Sequence, residues 1–151
     1  MRAAGNLEEA LATFRTIGPP WAVTSSLADL AAVSREAGDY GGAATLLREA
    51  CGSVLATGDP AAIADVVHSA AILLGARSCW DGATRLLAAE TSLREILGAP
   101  QLRSRRPAQE RAEAACAAAL GEKSFATAWV TGRGMSTEAA VAEARARLTD
   151  A

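Results

Sequence analysis

GDYGGAATLL, residues 38–47, is the stretch of this 151-residue chain that decides its fold. Similar phrases, GNLEEALATF from Gly5 and SCWDGATRLL from Ser78, occur once on each side of it. The three copies begin 33 and 40 residues apart, and helix-forming residues fill the intervals. A period of this size predicts stacked helix-turn-helix units, an α–α solenoid, and such stacks form binding surfaces more often than catalytic pockets.

Each phrase has the same internal spacing of large and small residues. A small residue follows a large one by three positions, and a second large residue comes four positions later. The triplets are Leu7–Ala10–Phe14, Tyr40–Ala43–Leu47 and Trp80–Ala83–Leu87. Residues at these spacings share one face of a helix, so each phrase is expected to open a helix whose alanine lets a neighbouring helix approach closely.

Glycine and proline divide the chain into helices. The predicted helices run from Leu7 to about Thr16, from near Trp21 to Gly38, from Tyr40 to Val54, from Pro60 to Leu74 and from near Trp80 to Leu97. Gly98, Ala99 and Pro100 end the fifth, and QLRSRRPAQER then reads as a loop or a frayed helix start. The last three are expected from about Ala108 to Leu120, from Phe125 to Val130 and after a cap at Ser136, with breaks at Gly121, Gly132 and Gly134.

Composition supports an all-α protein and excludes several functional classes. About a quarter of the residues are alanine, the best helix former, and only 4% are aromatic. The net charge of −2 provides no strong attraction for nucleic acid or an anionic membrane. No apolar stretch approaches the roughly 20 residues that span a bilayer, and acidic residues occupy the place of a signal peptide's apolar core. We therefore expect a soluble, cytoplasmic protein.

The sequence gives no indication of a metal or other cofactor. Cys51, Cys79 and Cys116 are far apart in sequence, and the single histidine, His68, cannot complete a metal site alone. The thiols are expected to be buried or half-buried in a reducing compartment.

The central phrase, preceded by the helical segment LADLAAVSREA, resembles a degenerate tetratricopeptide repeat. Gly38, Tyr40, Ala43 and Leu47 match the phrase that opens the second helix of each pair in that family. Ser78 and Cys79 depart from the Gly-Asp of the turn in the third copy. The resemblance implies about three tetratricopeptide-like helix pairs.

The segment from Leu120 to Ala144 resembles the C-terminal end of tetratricopeptide-like domains in large ATP-binding bacterial regulators of the LuxR type or related actinobacterial types. Ala139 stands where those proteins have a second glutamate. The matching residues are Leu120, Gly121, Phe125, Ala128, Trp129, Gly132, Arg133, Met135, Ser136, Glu138, Ala140 and Val141. In such regulators the helical domain is a sensor or interaction arm, and ATP binding and DNA binding reside elsewhere.

The resemblance implies a non-enzymatic interaction domain with helical repeats over residues 1–100 and C-terminal capping helices over residues 101–151. The sequence has no glycine-rich phosphate-binding loop with lysine and serine or threonine. The expected partner is a protein or peptide, an adjoining ATPase module or a small effector, with no direct binding of nucleic acid or membrane. The alternative is a stand-alone tetratricopeptide-like adaptor that binds a partner protein.

Six side chains are candidates for partner binding or for capping the helical stack: Trp21, Tyr40, Trp80, Phe125, Trp129 and Arg133. The three at helix starts are expected to anchor the core or a groove. Trp129 and Arg133 lie four residues apart, a spacing that permits a cation–π pair. Terminal units must close an otherwise open core, so Phe125 and Trp129 are expected to plug the end of the stack.

Two groups of polar residues are interpreted as solvated. Asp65 and His68 lie three apart on the expected polar side of the fourth helix, and no nucleophile accompanies them to make a catalytic site. Arg103, Arg105 and Arg106 form a short basic run without interleaved aromatic residues.

The position of the first phrase within its repeat predicts how the N-terminal end of the chain is organised. In the repeat family the phrase belongs to the second helix of a pair, yet its first copy begins at Gly5. The chain is therefore expected to start in the middle of a repeat, as the C-terminal end of something longer, and to self-associate through its N-terminal half-repeat.

Overall fold

The computed structural model describes residues 2–98 and 103–149, and all regular structure within them is helical. The eight α-helices of these ranges are α1 Arg2–Ile17, α2 Pro20–Glu36, α3 Tyr40–Ser53, α4 Pro60–Ala76, α5 Trp80–Leu97, α6 Arg106–Leu120, α7 Glu122–Arg133 and α8 Thr137–Thr149. Two short 3-10 turns occupy Val54–Thr57 and Arg103–Arg105. The prediction of an all-α protein is confirmed, whereas the break at Ala99 and Pro100 and the boundary between residues 100 and 101 lie outside the described residues.

Local sequence signals set most helix ends. The side chain of Asp39 accepts a 2.9 Å hydrogen bond from the Gly42 amide at the start of α3. Asp59 accepts a 3.0 Å bond from the Ala61 amide at the start of α4. Ser136 accepts a 3.1 Å bond from the Ala139 amide at the start of α8. Each cap satisfies one of the amides that a helix start leaves unbonded, as the sequence predicted.

The first repeat phrase does not open a helix, contrary to the prediction. Tyr40 and Trp80 are the first residues of α3 and α5, but Gly5 lies inside α1. Ala3 and Ala4 favour helix, and a glycine within a helix costs only about 1 kcal/mol, so nothing in residues 2–6 delays the start. The prediction that this helix begins at Leu7 was therefore wrong by five residues.

The end of the third helix and the start of the sixth also differ from the prediction. The third helix ends at Ser53 and Val54 begins a 3-10 turn, although Val54 is fully buried as its place on the apolar stripe predicted. The sixth helix begins at Arg106 and not at Ala108, with Pro107 in its first turn, where proline is tolerated.

The seventh helix is twice as long as predicted, because it begins three residues earlier and Gly132 does not break it. Gly132 is buried in the last turn of α7 (Glu122–Arg133). A Cβ atom added there would lie 2.1 Å from the Arg85 carbonyl oxygen and 2.8 Å from the Ala88 Cβ. The glycine therefore permits the close contact between α5 and α7.

Neighbouring helices pack in pairs. Helix α2 packs against α3, and α4 packs against α5; across the pairs, α2 contacts α4 and α5 contacts α7. Helix α4 is buried nearly all round, because its apolar residues point both toward α5 and toward α2 and α8. The core consists mainly of leucine, valine and alanine; its fully buried leucines are Leu27, Leu47, Leu73, Leu74, Leu86, Leu87 and Leu148.

The last helix folds back over the middle of the chain. Helix α8 packs against α3, α4 and α5. Its apolar stripe of Ala140, Val141, Ala144 and Leu148 is buried. The expected apolar face of this helix is thus confirmed, and it covers the central helices of the chain.

Candidate functional site

A buried carboxylate organises the centre of the molecule. Glu90 of α5 has no solvent exposure, and burying an unpaired carboxylate is very costly. His68 Nδ1 lies 2.9 Å from Glu90 Oε1. The Arg94 Nε atom donates a 3.1 Å hydrogen bond to the other oxygen, Oε2. Both carboxylate oxygens therefore have charged or polar partners inside the protein.

The same arginine links this core group to the surface of α4. Arg94 Nη2 lies 3.0 Å from Asp65 Oδ1, and Arg105 Nη1 lies 2.7 Å from the same oxygen. His68, Glu90, Arg94, Asp65 and Arg105 thus form a continuous chain of polar contacts, here called the ion network. It joins α4 and α5 to the 3-10 turn that precedes α6, three elements that follow one another along the chain.

The ion network contradicts the solvated interpretation of Asp65 and His68, and that of the basic run only at Arg105. His68 is only 8% exposed and contacts Glu90, so it does not lie on a polar outer face of α4. Asp65 is held by two arginines. Arg105 belongs to a 3-10 turn and pairs with Asp65, and only its neighbours Arg103 and Arg106 remain exposed. The sequence reading failed because the partners of His68 and Asp65 lie 22 to 40 residues away.

A groove runs along one side of the ion network, between α2, α4 and the start of α6. Its volume is about 470 Å³, within the range typical of ligand and peptide sites. Small side chains on two helices form much of its wall: Ser25, Ala28 and Ala32 on α2, and Ala61, Ala62 and Ser69 on α4. Their spacing places Ser25, Ala28 and Ala32 on one face of α2, and Ala62 and Ser69 on one face of α4. Trp21, with 55% of its surface exposed, lines the groove as well.

Charged side chains also line the groove. The carboxylates are Asp29, Glu36, Asp59 and Asp65, and the guanidinium groups are Arg35 and Arg105. Burial raises the pKa of Asp29, the nearby charge of Arg105 lowers it, and the charge of Asp65 raises it further. Asp29 is an exposed residue at the groove, beside the like charge of Asp65.

The six candidate side chains do not converge on one site. Trp21 alone lies in the groove. Tyr40 begins α3 and is 37% exposed. Trp80 begins α5 and packs, half-buried, against the core. Trp80 thus packs on the core and Trp21 lies at the groove, the two kinds of position expected for these aromatic residues. Contact of any of them with a partner stays a prediction.

The remaining three candidates lie on α7. Phe125 and Trp129 stack with their ring centroids 5.7 Å apart and pack against the core. Arg133 Nη2 lies 2.8 Å from Glu95 Oε2. This hydrogen bond lowers the pKa of Glu95 and raises that of Arg133. Trp129 is thus paired with Phe125, and the expected stack of Trp129 on Arg133 is replaced by an ion pair to α5.

A second cavity, of about 580 Å³, lies between α5, α6 and α7. Trp129, Arg94 and Glu113 are among the residues that line it. The Arg94 side chain therefore borders this cavity while its guanidinium contacts Asp65 of the groove.

The cysteines differ in exposure, and only two of the three follow the prediction. Cys51 and Cys116 are buried, whereas Cys79 is exposed. Burial raises the pKa of Cys51 to about 12, against a smaller lowering by Arg145. Among the described residues, no group of three or more histidine, cysteine, aspartate or glutamate side chains could hold a metal ion.

No helix in the described ranges is long and apolar enough to cross a membrane. Neither a protein-family model, nor a curated protein, nor a solved structure matches the sequence.

Sequence reasoning missed Glu90, Arg94 and Asp29, although weak signals for two of them exist. Glu90 and Arg94 are spaced four apart, the distance at which helical ion pairs form. Glu90 follows Ala88 and Ala89 and precedes Leu93, which places it on the buried face of α5. Asp29 gives no such signal, because its surroundings come from α4 and from Arg105.

Proposed function

We propose that this chain is a non-enzymatic protein-interaction domain, the C-terminal helical arm of a bacterial transcriptional or signalling regulator. Its groove between α2, α4 and α6 would receive a peptide segment of a partner or of an adjoining ATPase module. The observation that supports the proposal is this groove of about 470 Å³, which is lined by small side chains and by the exposed indole of Trp21.

The helix order supports a solenoid of tetratricopeptide-like pairs. In such a solenoid the first helices of successive pairs stand side by side and line one surface. Helices α2 and α4 are in contact and supply most of the groove lining, and each packs against the helix that follows it, α3 and α5 respectively. The residues of the C-terminal resemblance also have packing roles, since Phe125, Trp129 and Met135 pack on the core.

The ion network favours a structural role for the one histidine over a catalytic role. A carboxylate that orients a histidine at a cavity wall is an arrangement used in general-base catalysis. In this protein the carboxylate is shared between His68 and Arg94, and Arg94 continues to Asp65. We interpret the network as the means by which α4, α5 and Arg105 hold the shape of the groove.

Groove-filling variants test the proposal. Peptides selected from a random phage-displayed library on the full chain are expected to lose binding to Ala32→Trp and to Trp21→Ala. The matched control is Ala126→Trp, which adds the same bulk to an exposed position of α7 away from the groove. Selected peptides that bind all three variants equally, or an absence of selected peptides, would contradict a binding groove at this position.

The non-enzymatic part of the proposal needs a separate test. We expect no turnover in a panel of ester, phosphoester and peptide substrates. A turnover that is abolished by His68→Ala, in a variant whose helicity and melting temperature match those of the parent, would overturn it.

A further inference from the structure

We propose that the partner segment in the groove presents a lysine or arginine side chain to the Asp29 carboxylate. This inference rests on the proposed interaction function, and it adds the chemistry of the partner. The inference is based on the charges of the groove and on the position of Asp29 among them.

The groove carries more negative than positive charge. Four carboxylates and two guanidinium groups line it, and the guanidinium of Arg94 also contacts one of the carboxylates, Asp65, so that four negative charges face three positive ones. Both lining arginines already have acidic neighbours: Arg105 lies 2.7 Å from Asp65, and Arg35 lies 4.0 Å from Glu36. A partner that brings a negative charge would therefore meet repulsion, and one that brings a positive charge would complement the groove.

Asp29 is the carboxylate best placed to receive a cation from a partner. Asp59 caps α4, Asp65 is held by two arginines, and Glu36 lies 4.0 Å from Arg35. In the described part of the chain, no hydrogen-bond donor or cation contacts the Asp29 side chain. Burial and the charge of Asp65 raise its pKa against the opposing effect of Arg105. An ammonium or guanidinium group at Asp29 would reverse this unfavourable balance.

The dimensions of the groove suit a peptide segment. Trp21 and Arg35 line it and lie 14 residues apart on α2, which is roughly 20 Å at 1.5 Å per residue. An extended segment of about six residues spans that length. The small side chains Ala28 and Ala32 lie beside Asp29, so the backbone of the segment can approach the helix there. The exposed indole of Trp21 offers an aromatic surface beyond them.

The experiment is a library selection on three forms of the full chain. Random seven-residue peptides displayed on phage are selected on the parent, on Asp29→Lys and on Glu8→Lys. Glu8 is an exposed residue of α1 outside the groove, so its variant carries the same change of net charge. Circular dichroism establishes that the three proteins have equal helicity and melting behaviour before selection.

Peptides selected on the parent and on Glu8→Lys are expected to share a lysine or arginine at one position. Peptides selected on Asp29→Lys are expected to carry an aspartate or glutamate at that position. Replacing the basic residue of a selected peptide by norleucine is expected to weaken binding about tenfold. The substitution Asp29→Asn should weaken binding of the unchanged peptide by the same factor. The two changes together should weaken binding no more than either change alone, because both remove the same contact. Peptides that compete for the groove but show no basic preference would overturn this inference and leave the interaction function standing. If no selected peptide is sensitive to Ala32→Trp, the groove function itself fails.

Discussion

Glu90 is the residue on which the centre of the structure depends. A fully buried carboxylate is stable only when its partners are in place, and removing one member of such a group costs about 3–5 kcal/mol, a large share of the total stability of a small domain. His68 and Arg94 would keep their polar atoms in the same buried region without it. The energetic role of Glu90 thus exceeds that of any exposed ion pair in the chain.

Replacing Glu90 by alanine is therefore expected to lower the free energy of unfolding by about 3–5 kcal/mol, measured by urea denaturation at pH 7. Glu110→Ala is the matched control, because Glu110 is an exposed glutamate of the neighbouring α6, and its effect should stay within about 0.5 kcal/mol. Equal effects of the two substitutions would show that the buried network does not support the fold.

Asp29 is expected to act in the opposite direction, as a residue that costs stability. Its folded-state pKa is raised above the ordinary value of 3.8, so its ionisation disfavours the folded state as pH rises through that region. Asp29→Asn should therefore be more stable than the parent at pH 7, by less than about 1 kcal/mol because the side chain is largely open to solvent.

The difference between Asp29→Asn and the parent should shrink toward pH 3, where the carboxyl is protonated in both states. Thermal melts followed at both pH values measure it. Glu8→Gln, at an exposed position of α1 outside the groove, serves as the reference. An asparagine variant that is less stable than the parent at pH 7 would mean that Asp29 has a stabilising partner.

At the scale of single helices, the local sequence predicts that a helix exists better than it predicts where the helix ends or what it contacts. Gly38, Gly58 and Gly121 have positive φ angles and separate helices as expected, because this backbone conformation favours glycine. Gly132 is likewise a glycine that the sequence predicts to break a helix, but it lies inside α7. Its role depends on the Arg85 carbonyl of α5, 47 positions earlier in the chain, and no local pattern contains that information.

Gly132→Ala is expected to force α7 away from α5. The new Cβ would lie 2.1 Å from the Arg85 carbonyl oxygen, a contact that requires a backbone shift and costs about 1–3 kcal/mol. Gly75→Ala in α4 is the control, because the nearest atom to its Cβ is the Ala83 Cβ at 4.0 Å. That variant should gain about 0.5–1 kcal/mol from the better helix propensity of alanine.

Urea denaturation of the two glycine variants and of the parent measures both effects in one series. Opposite signs for Gly132→Ala and Gly75→Ala are the expected result. A Gly132→Ala protein as stable as the parent would show that α5 and α7 can separate without loss, and that the long α7 is not fixed by this contact.

For the candidate site as well, the local sequence predicts single residues better than it predicts their contacts. The sequence singled out Trp21, which does line the groove, because aromatic residues at helix starts are visible in any single sequence. It placed Asp65 and His68 on a solvated face, because the side chains that contact them come from α5 and from Arg105. The groove is a product of helix packing, and the positions of its charges follow from contacts between segments that are remote in sequence.

For the molecule as a whole, the two terminal helices are not equivalent. Helix α1 packs chiefly against α2, with an ion pair from Arg15 to Glu49 of α3. Helix α8 packs against α3, α4 and α5, and Arg147 reaches Asp81 at the start of α5 over 3.0 Å. In a simple stack of repeats each terminal unit would contact only its neighbour, so the position of α8 makes the folding of the centre depend on the C-terminal residues.

Deleting residues 136–151 is therefore expected to abolish cooperative unfolding, whereas deleting residues 1–18 should leave a protein that melts in one transition at a lower temperature. Burial of Val141 and Leu148 alone contributes about 3–6 kcal/mol, and the deletion also exposes the faces of α3 and α4 that these residues cover. The smaller effect at the N-terminus follows from the single buried large side chain, Leu11, among the described side chains of α1. Thermal melts followed by circular dichroism measure both, with Leu148→Ala as an intermediate that should lose about 2–5 kcal/mol. If the protein without α8 melts as cooperatively as the parent, the central helices form their core without α8, and the chain behaves as a linear array of repeats.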